Sequence, residues 1–398
     1  MTVGTDDRYV VISADCHAGG SIDTYAEYLD PAFKQEFAEW RGAYSNPFRD
    51  LQGDGRTRNW DSDRRFAELE KDGQVAEVVF PNTVPPFFPT GMLVARPPDA
   101  SDLERRWAGL RAHNRWLADW CSEYPDRRVG IAQIFNNDID EAVTEAKWAF
   151  EHGLKGILVP GVPDDTDIEP LYSDYYDPLW ATCQDLGLLV HHHAGSGHPD
   201  YGKHPSSQFM WAIETEWHAH RVFWQVLMSG VFDRFPDLKF VMTEQGCSWI
   251  PGVLRQLDGM HYAASTGRMG ELKMDPSAML QMLPSEYFKR NVWVGVSFPG
   301  RREAKAMRQL GLDKIMWGSD YPHHEGSSPH SKALLRRAFS DWSSDDLDQI
   351  LTRTAADLYG FDVSKLEGRA AEVGPTAAEI AEPLDGIPDG ATSPGFYL

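Results

Sequence analysis

Short runs of apolar and β-branched residues alternate along this chain with longer stretches whose apolar positions recur every three or four residues. The runs at 9–14, 76–80, 128–134, 156–159, 186–193, 238–243, 292–296 and 314–317 are predicted as strands. They are mostly apolar and lack strict alternation, as strands buried on both faces of a parallel sheet do. Helices are predicted between them at 102–121, 138–152, 176–185, 214–230 and 304–310. In the first, Leu103, Trp107, Leu110, Leu117 and Trp120 make an amphipathic stripe. Eight strand–helix units that close on themselves predict an α/β fold, a (β/α)8 TIM barrel. An open doubly wound sheet fits the strand count and the chain of 398 residues less well.

Two segments break the repeat. Residues 21–60, after the first strand, are long, aromatic and charged, and are expected as an inserted cap over the barrel mouth. Residues 363–398 are rich in Pro, Gly, Ala and Glu, with little helical periodicity after Ile380. They are expected as a C-terminal arm outside a barrel of residues 1–362, lying on the barrel or on a second subunit.

The net charge of −22 repels phosphates and anionic lipid, so neither a nucleic-acid nor a membrane partner is expected. No apolar stretch approaches the roughly 20 residues of a membrane span. The four cysteines (Cys16, Cys121, Cys183, Cys247) form no Cys-x-x-Cys pair, which suits a reducing cytoplasm. Neither a Walker loop nor a Gly-x-Gly-x-x-Gly fingerprint follows a strand, so ATP and NAD are not expected.

The candidate chemistry sits at the C-terminal ends of strands, where barrels of this kind place their active sites. The first strand leads into Asp15-Cys16-His17, the fifth ends in His191-His192-His193, the sixth in Glu244, and the eighth in Asp320 followed by Tyr321-Pro322-His323-His324-Glu325. Alternate strand residues share a face, so Asp15 converges with His17, and His191 with His193. Imidazole with carboxylate suits zinc, iron or manganese. On the helix after the fifth strand, Glu214 pairs with His218 and Glu216 with His220, one turn apart. Trp60, Phe80, Phe87, Phe88, Trp211, Trp217, Trp249 and Phe298 flank these motifs and suggest a partly apolar organic substrate; Arg115, Arg301 and Arg302 are candidates to pair with a substrate carboxylate. Cys16 faces away from the two ligand candidates and is read as packed and inert.

The stretches SADCHAGG, EVVFPN, HNRWLADWCSEYPDR, GLKGILVPG, YDPLWATCQDLGLLVHHHAGSG, LMSGVFDRFPDLKFVMTEQGCSWIP and MWGSDYPH resemble the amidohydrolase superfamily. The likeness is to the branch of aminocarboxymuconate-semialdehyde decarboxylase and the hydroxybenzoate decarboxylases, and runs from Val10 to about Gly360. It implies a TIM-type barrel with one catalytic divalent metal, whose ligands fall on Asp15, His17, His193 and Asp320. Departures are Asp15 and Glu244, where relatives carry His or Glu and His respectively. No lysine ends the fourth strand, so the carboxylated lysine that bridges two metals in other amidohydrolases is absent.

The leading expectation is a metal-dependent hydrolase or decarboxylase acting on a carboxylated, partly apolar small molecule. Asp15, His17, His193, Asp320 and Glu244 would hold one zinc (or manganese or iron), with His191, His324 and Glu325 as additional candidates. Asp320, His218 and Glu244 would be the acid–base groups. The alternative is a dinuclear non-haem iron oxygenase, with two irons, acting on a bulky acyl substrate. A non-catalytic metal-binding protein is a third reading. A homodimer is expected, with the arm crossing to or packing beside the partner.

Overall fold

The computed structural model describes residues 7–49, 51–82, 84–92 and 94–397. Residue 50 of the predicted cap, Leu398 of the arm and residues 1–6 lie outside these. Among the described residues, one sheet of eight parallel strands runs in sequence order: β1 (Val11–Ala18), β2 (Gln74–Pro81), β3 (Arg128–Gln133), β4 (Gly156–Leu158), β5 (Leu189–His193), β6 (Phe240–Thr243), β7 (Val292–Ser297) and β8 (Ile315–Gly318). β8 returns beside β1, where the Asp320 amide donates to the Asp15 carbonyl at 2.9 Å and Cys16 bridges to Tyr321 in parallel. This is the (β/α)8 barrel.

Helices Leu103–Ser122, Ile139–Glu151, Asp177–Leu186, Ser207–Met228 and Arg301–Leu310 occupy the intervals predicted for them. The helix after β5 starts earlier than predicted, at Ser207, and the added turns bring Trp211 to the barrel mouth. One buried apolar cluster fills the space between sheet and helices, and a second, with Ile12, Leu189, Val241 and Met316, plugs the barrel below the site.

Two local features aim the first strand. The pairing of β1 with β2 slips between Ser13 and Cys16, as a bulge does, so Ile12 and Ala14 join the interior plug while Asp15 and His17 turn toward the cavity above it. Gly318 on β8 leaves room for this, since a Cβ there would stand 2.6 Å from Cβ of Asp15.

The cap region holds helices Ile22–Tyr28 and Lys34–Ala43, which pack on Phe87 and Ala108, and sends Phe48 and Arg49 to the cavity wall. The C-terminal arm lies on its own barrel. It begins with helix Val363–Val373, short helix Ala377–Ala381 follows, and Ile380 and Phe396 are buried. Tyr9 donates to the Pro375 carbonyl at 3.0 Å, and Thr392 Oγ1 donates to the carbonyl of His324. The tail thus ends beside the loop after β8.

Candidate metal centre

Asp15, His17 and His193 bring ligand atoms within 4.8 Å of one another, as do His17, Asp320 and His323. All but His323 are nearly or fully buried. His17 Nε2 lies 3.4 Å from Asp15 Oδ1 and 3.3 Å from Asp320 Oδ1. His193 Nε2 lies 3.3 Å from the same Asp15 oxygen.

The tautomer of both neutral imidazoles is set from behind. His17 Nδ1 donates to the Pro81 carbonyl at 2.9 Å and His193 Nδ1 to the Ala194 carbonyl at 3.2 Å, because a carbonyl can only accept. In the neutral rings each Nε2 therefore carries the lone pair, and both face the carboxylates. Carbonyl-anchored imidazoles of this kind orient metal ligands. Ser297 donates to Asp15 Oδ2, which holds that carboxylate in place. His17 Nε2 and both carboxylate oxygens of Asp320 are buried with no hydrogen-bond partner. Burial of such groups without compensation is costly, and a divalent cation would satisfy all of them at once. The residues fit the metal that the fold implies.

The electrostatics agree. Burial works to raise the Asp15 carboxyl, but the charge of His193 and contacts from His17 and His193 outweigh it and hold it well below the usual range. Burial opposes charging of His17, yet Asp15 and Asp320 beside it push it well up. Glu244 moves the other way. Burial, then the charges of Asp320 and Asp15, push it up to about 8. It stands 3.4 Å from His193 Nδ1. Glu244 and Asp320 both have left-handed backbones, with φ of 56° and 59°. That conformation costs a non-glycine residue about 1–3 kcal/mol and is concentrated at functional sites.

The structure separates several other candidates from this group. His191 faces inward one pleat below His193, between Phe80 and Tyr359, with ring centroids at 5.3 and 5.8 Å. It is fully buried, neither ring nitrogen has a hydrogen-bond partner, and burial lowers it to about 3. It is a packed side chain below the ligand layer. His218 lies among Arg221, His198, Glu214 and Asp164, away from the ligands, because its helical position turns it off the mouth. Glu216 and His220 do reach the cavity, and His220 stacks on Trp249 at 3.8 Å. His324 is exposed, whereas Glu325 groups with Glu244, Asp320 and His323 within 4.8 Å. Arg115 is taken by Glu145 and covers Trp148, and Arg301 donates to the Arg337 carbonyl; Arg302 alone of the three lines the cavity. Cys16 is fully buried and its thiol is pushed up by burial.

His323 is the residue that the chain pattern undervalued. It stands 2.7 Å from Asp320 Oδ1 and stacks on His17 at 4.0 Å between centroids. Its signal was its place three residues after a strand-end Asp, in a turn that folds back over the mouth.

Two cavities meet at the cluster. One of about 290 Å³ is bounded by His17, His193 and His323 and walled by Phe80, Val84, Pro85, Phe88 and Leu158. The other, about 1000 Å³, runs past Glu244 and Glu325 to Arg49, Trp211, Trp249, Arg302 and the tail residues Pro394 and Gly395. Trp60 and Phe87 pack in the core instead, and Trp217 is half exposed on the outer surface. No helix among the described residues is long and apolar enough to cross a membrane.

Gamma-resorcylate decarboxylase of Rhodococcus jostii (strain RHA1) is 28% identical over 237 residues, 56% of this chain and 68% of that protein. The enzyme of the same name from Polaromonas sp. (strain JS666 / ATCC BAA-500) is 27% identical over 235 residues, 56% of this chain and 68% of that protein. Among solved structures, 5-carboxyvanillate decarboxylase of Novosphingobium aromaticivorans DSM 12444, with bound manganese, superposes with a TM-score of 0.65 at 20% identity, over 90% of this chain and 98% of that one. At that identity the likeness shows the fold alone. The named relatives are decarboxylases, which supports the hydrolase-or-lyase reading and not the iron oxygenase. The amidohydrolase family model matches residues 47–361, and this chain belongs to that family as an enzyme of its metal-dependent hydrolase and carbon–carbon lyase class.

Proposed function

We propose that this chain is a metal-dependent, non-oxidative decarboxylase of a carboxylated aromatic acid. The observation that carries the reading is the buried Asp15–His17–His193–Asp320 cluster opening onto an apolar pocket of about 290 Å³, a space suited to one substituted ring. The named relatives act on substrates of that class.

Asp15, His17, His193 and Asp320 would hold one divalent ion; manganese in the Novosphingobium structure makes it the first ion to try, before zinc or iron. When bound, the ion would supply positive charge against the substrate carboxylate. The aromatic wall of Phe80 and Phe88 orients the ring and excludes water. Glu244, whose carboxyl is pushed up by burial and by the charge of Asp320 and which stands 3.4 Å from His193, is the proton donor. Its proton goes to the ring carbon that bears the carboxylate. The bond to that carboxylate then breaks, its electron pair restores the ring, and CO2 leaves. The Glu244 carboxylate regains a proton from water, with Asp320 beside it as shuttle.

A homodimer is also part of this reading, supported by the exposed apolar row Phe209, Ile213 and Trp217 on helix Ser207–Met228. A cytoplasmic location is supported by four free, buried cysteines.

The test is CO2 release from hydroxybenzoates and carboxyvanillates by protein loaded with manganese, zinc or iron, run in D2O. Release with one deuterium placed on the vacated ring carbon is expected. Turnover of amides or lactones without CO2 release would make the enzyme a hydrolase instead.

A further inference from the structure

We propose that the substrate ring carries, on the side away from its departing carboxylate, a neutral arm ending in N–H or O–H groups, and that Asn136 and Asn137 receive this arm in a chamber behind the ring pocket. The chamber has a volume of about 150 Å³. Pro85, Phe88, Gln133, Leu158 and Pro160 wall both it and the ring pocket, whereas His17 and His193 border the ring pocket alone. The order is therefore metal, ring pocket, chamber. A protein cavity of about 150 Å³ accepts benzene, so the arm has room for up to about a ring's worth of atoms.

The chemistry of the arm follows from two asparagines just past the end of β3. Asn136 Nδ2 donates to the Pro160 carbonyl at 2.7 Å, and Asn137 Nδ2 donates to the Pro98 carbonyl at 2.8 Å. A carbonyl can only accept, so the nitrogen end of each amide is settled and each Oδ1 is left as an acceptor. Both Oδ1 atoms are buried with no hydrogen-bond partner among the described residues, and Asn136 is only 4% exposed. Bare acceptors are costly in a wall built largely of proline and aliphatic side chains, and a donor on the bound molecule relieves them. Gln133 Nε2, at the neck between the two cavities, is likewise buried and unpartnered, and it donates. Two acceptors and one donor are the complement of a primary carboxamide.

The charges around the chamber favour a neutral arm. Arg96 is held by Asp165 through two bonds of 3.0 Å. Arg106 stands 3.6 Å from Asp102 and covers Phe135. Each guanidinium already has its anion, so an ionised arm finds no free counter-charge on either. The inference rests on the proposed decarboxylation for where the ring sits, but not on which bond breaks.

The probes are 2-nitrophenols, in which a nitro group stands for the departing carboxylate and cannot leave as CO2. Each carries, meta or para to the nitro group, a carboxamide, an acetyl group of similar shape or a carboxylate. Calorimetry on the manganese-loaded full chain gives their affinities, and CO2 release is followed with the matching 2-hydroxybenzoates. The carboxamide should bind at least about tenfold more tightly than the acetyl compound, which lacks its N–H donors, and more tightly than the carboxylate. Asn136→Leu and Asn137→Leu should each bring the amide-to-acetyl ratio severalfold closer to one. Equal affinity for amide and acetyl probes in the wild type overturns the proposal, as does a preference for the carboxylate or an amide preference kept in full by both variants. The wild-type comparison decides even where a variant fails to fold. An amide preference without CO2 release would overturn the assigned reaction and leave the chamber standing. CO2 release with no amide preference would do the reverse.

Discussion

Arg65 and Glu77 form a two-pronged ion pair with no exposed surface, Nε to Oε1 at 2.9 Å and Nη2 to Oε2 at 2.6 Å. The remaining guanidinium nitrogen of Arg65 donates to the carbonyl of His17 at 2.8 Å. Arg128 shares Glu77 at 3.3 Å. The backbone of a metal ligand is therefore tied to a charge network in the wall behind the site.

Removing that anion strands two buried guanidinium groups. Glu77→Gln should destabilise the protein by about 3–5 kcal/mol, the range for breaking a buried pair from one side. Urea denaturation measures it. A change under about 1 kcal/mol would mean that Arg65 and Arg128 find other partners.

His193→Ala removes a nitrogen aimed at Asp15 Oδ1 from 3.3 Å. Bound metal should fall to a small fraction of the wild-type content, and turnover should vanish with it. Far-ultraviolet circular dichroism should be unchanged, because the barrel plug lies below this layer. Full metal content with full turnover would remove the fifth strand from the centre.

Glu244 gives a pH signature in the metal-free protein. Its carboxyl is pushed up to about 8, so between roughly pH 4.5 and 8 the native state binds a proton that the unfolded chain does not. Stability contributed by this group is therefore present at low pH and falls as pH rises through that window. Glu244→Gln should flatten the decline seen in melting temperature between pH 5 and 9. An identical slope in wild type and variant would place the raised pKa elsewhere.

The barrel was legible because parallel strands are apolar runs and their C-terminal ends carry polar residues, so Asp15, His193, Glu244 and Asp320 stood out as strand ends. What was hidden was depth and aim. Period two puts His191 on the same face as His193, but its ring lies one pleat deeper, packed between Phe80 and Tyr359. The slip in β1 that turns Asp15 and His17 inward has no mark in the sequence. Nor do the left-handed turns at Glu244 and Asp320, since neither residue is glycine. His218 looked equivalent to His220 by helical spacing, and only packing shows that His220 meets the mouth while His218 does not.

His191 then makes a prediction of its own. Its ring nitrogens are buried without partners, and burial, with His193 adding to it, lowers it to about 3. Below about pH 6.5 the unfolded chain takes up a proton that the folded one refuses, so stability attributable to this ring is lost as pH falls. His191→Leu should leave metal content unchanged and raise the melting temperature at pH 5 more than at pH 8. Loss of metal in this variant would return His191 to the ligand set.

The arm lies on its own barrel, one of the two placements open to it, and that gives a sharper test than the oligomeric state. Residues 363–381 and 392–397 do different work. Leu366 and Ala370 of helix Val363–Val373 join the cluster that plugs the barrel from below. The tail instead lies at the mouth: Thr392 holds the carbonyl of His324, Phe396 is buried, and Pro394 and Gly395 line the wide cavity. Gly395 is required there, because a Cβ would collide with the Phe298 carbonyl. Truncation after Asp362 should therefore cost stability by exposing the plug. Truncation after Gly390 should leave the melting temperature within a few degrees but widen the mouth, raising KM severalfold with a smaller change in kcat. Gly395→Val should act in the same direction by displacing the tail. If the short truncation melts as early as the long one, the tail is a structural clamp; if neither it nor Gly395→Val moves KM, the tail does not border the bound substrate.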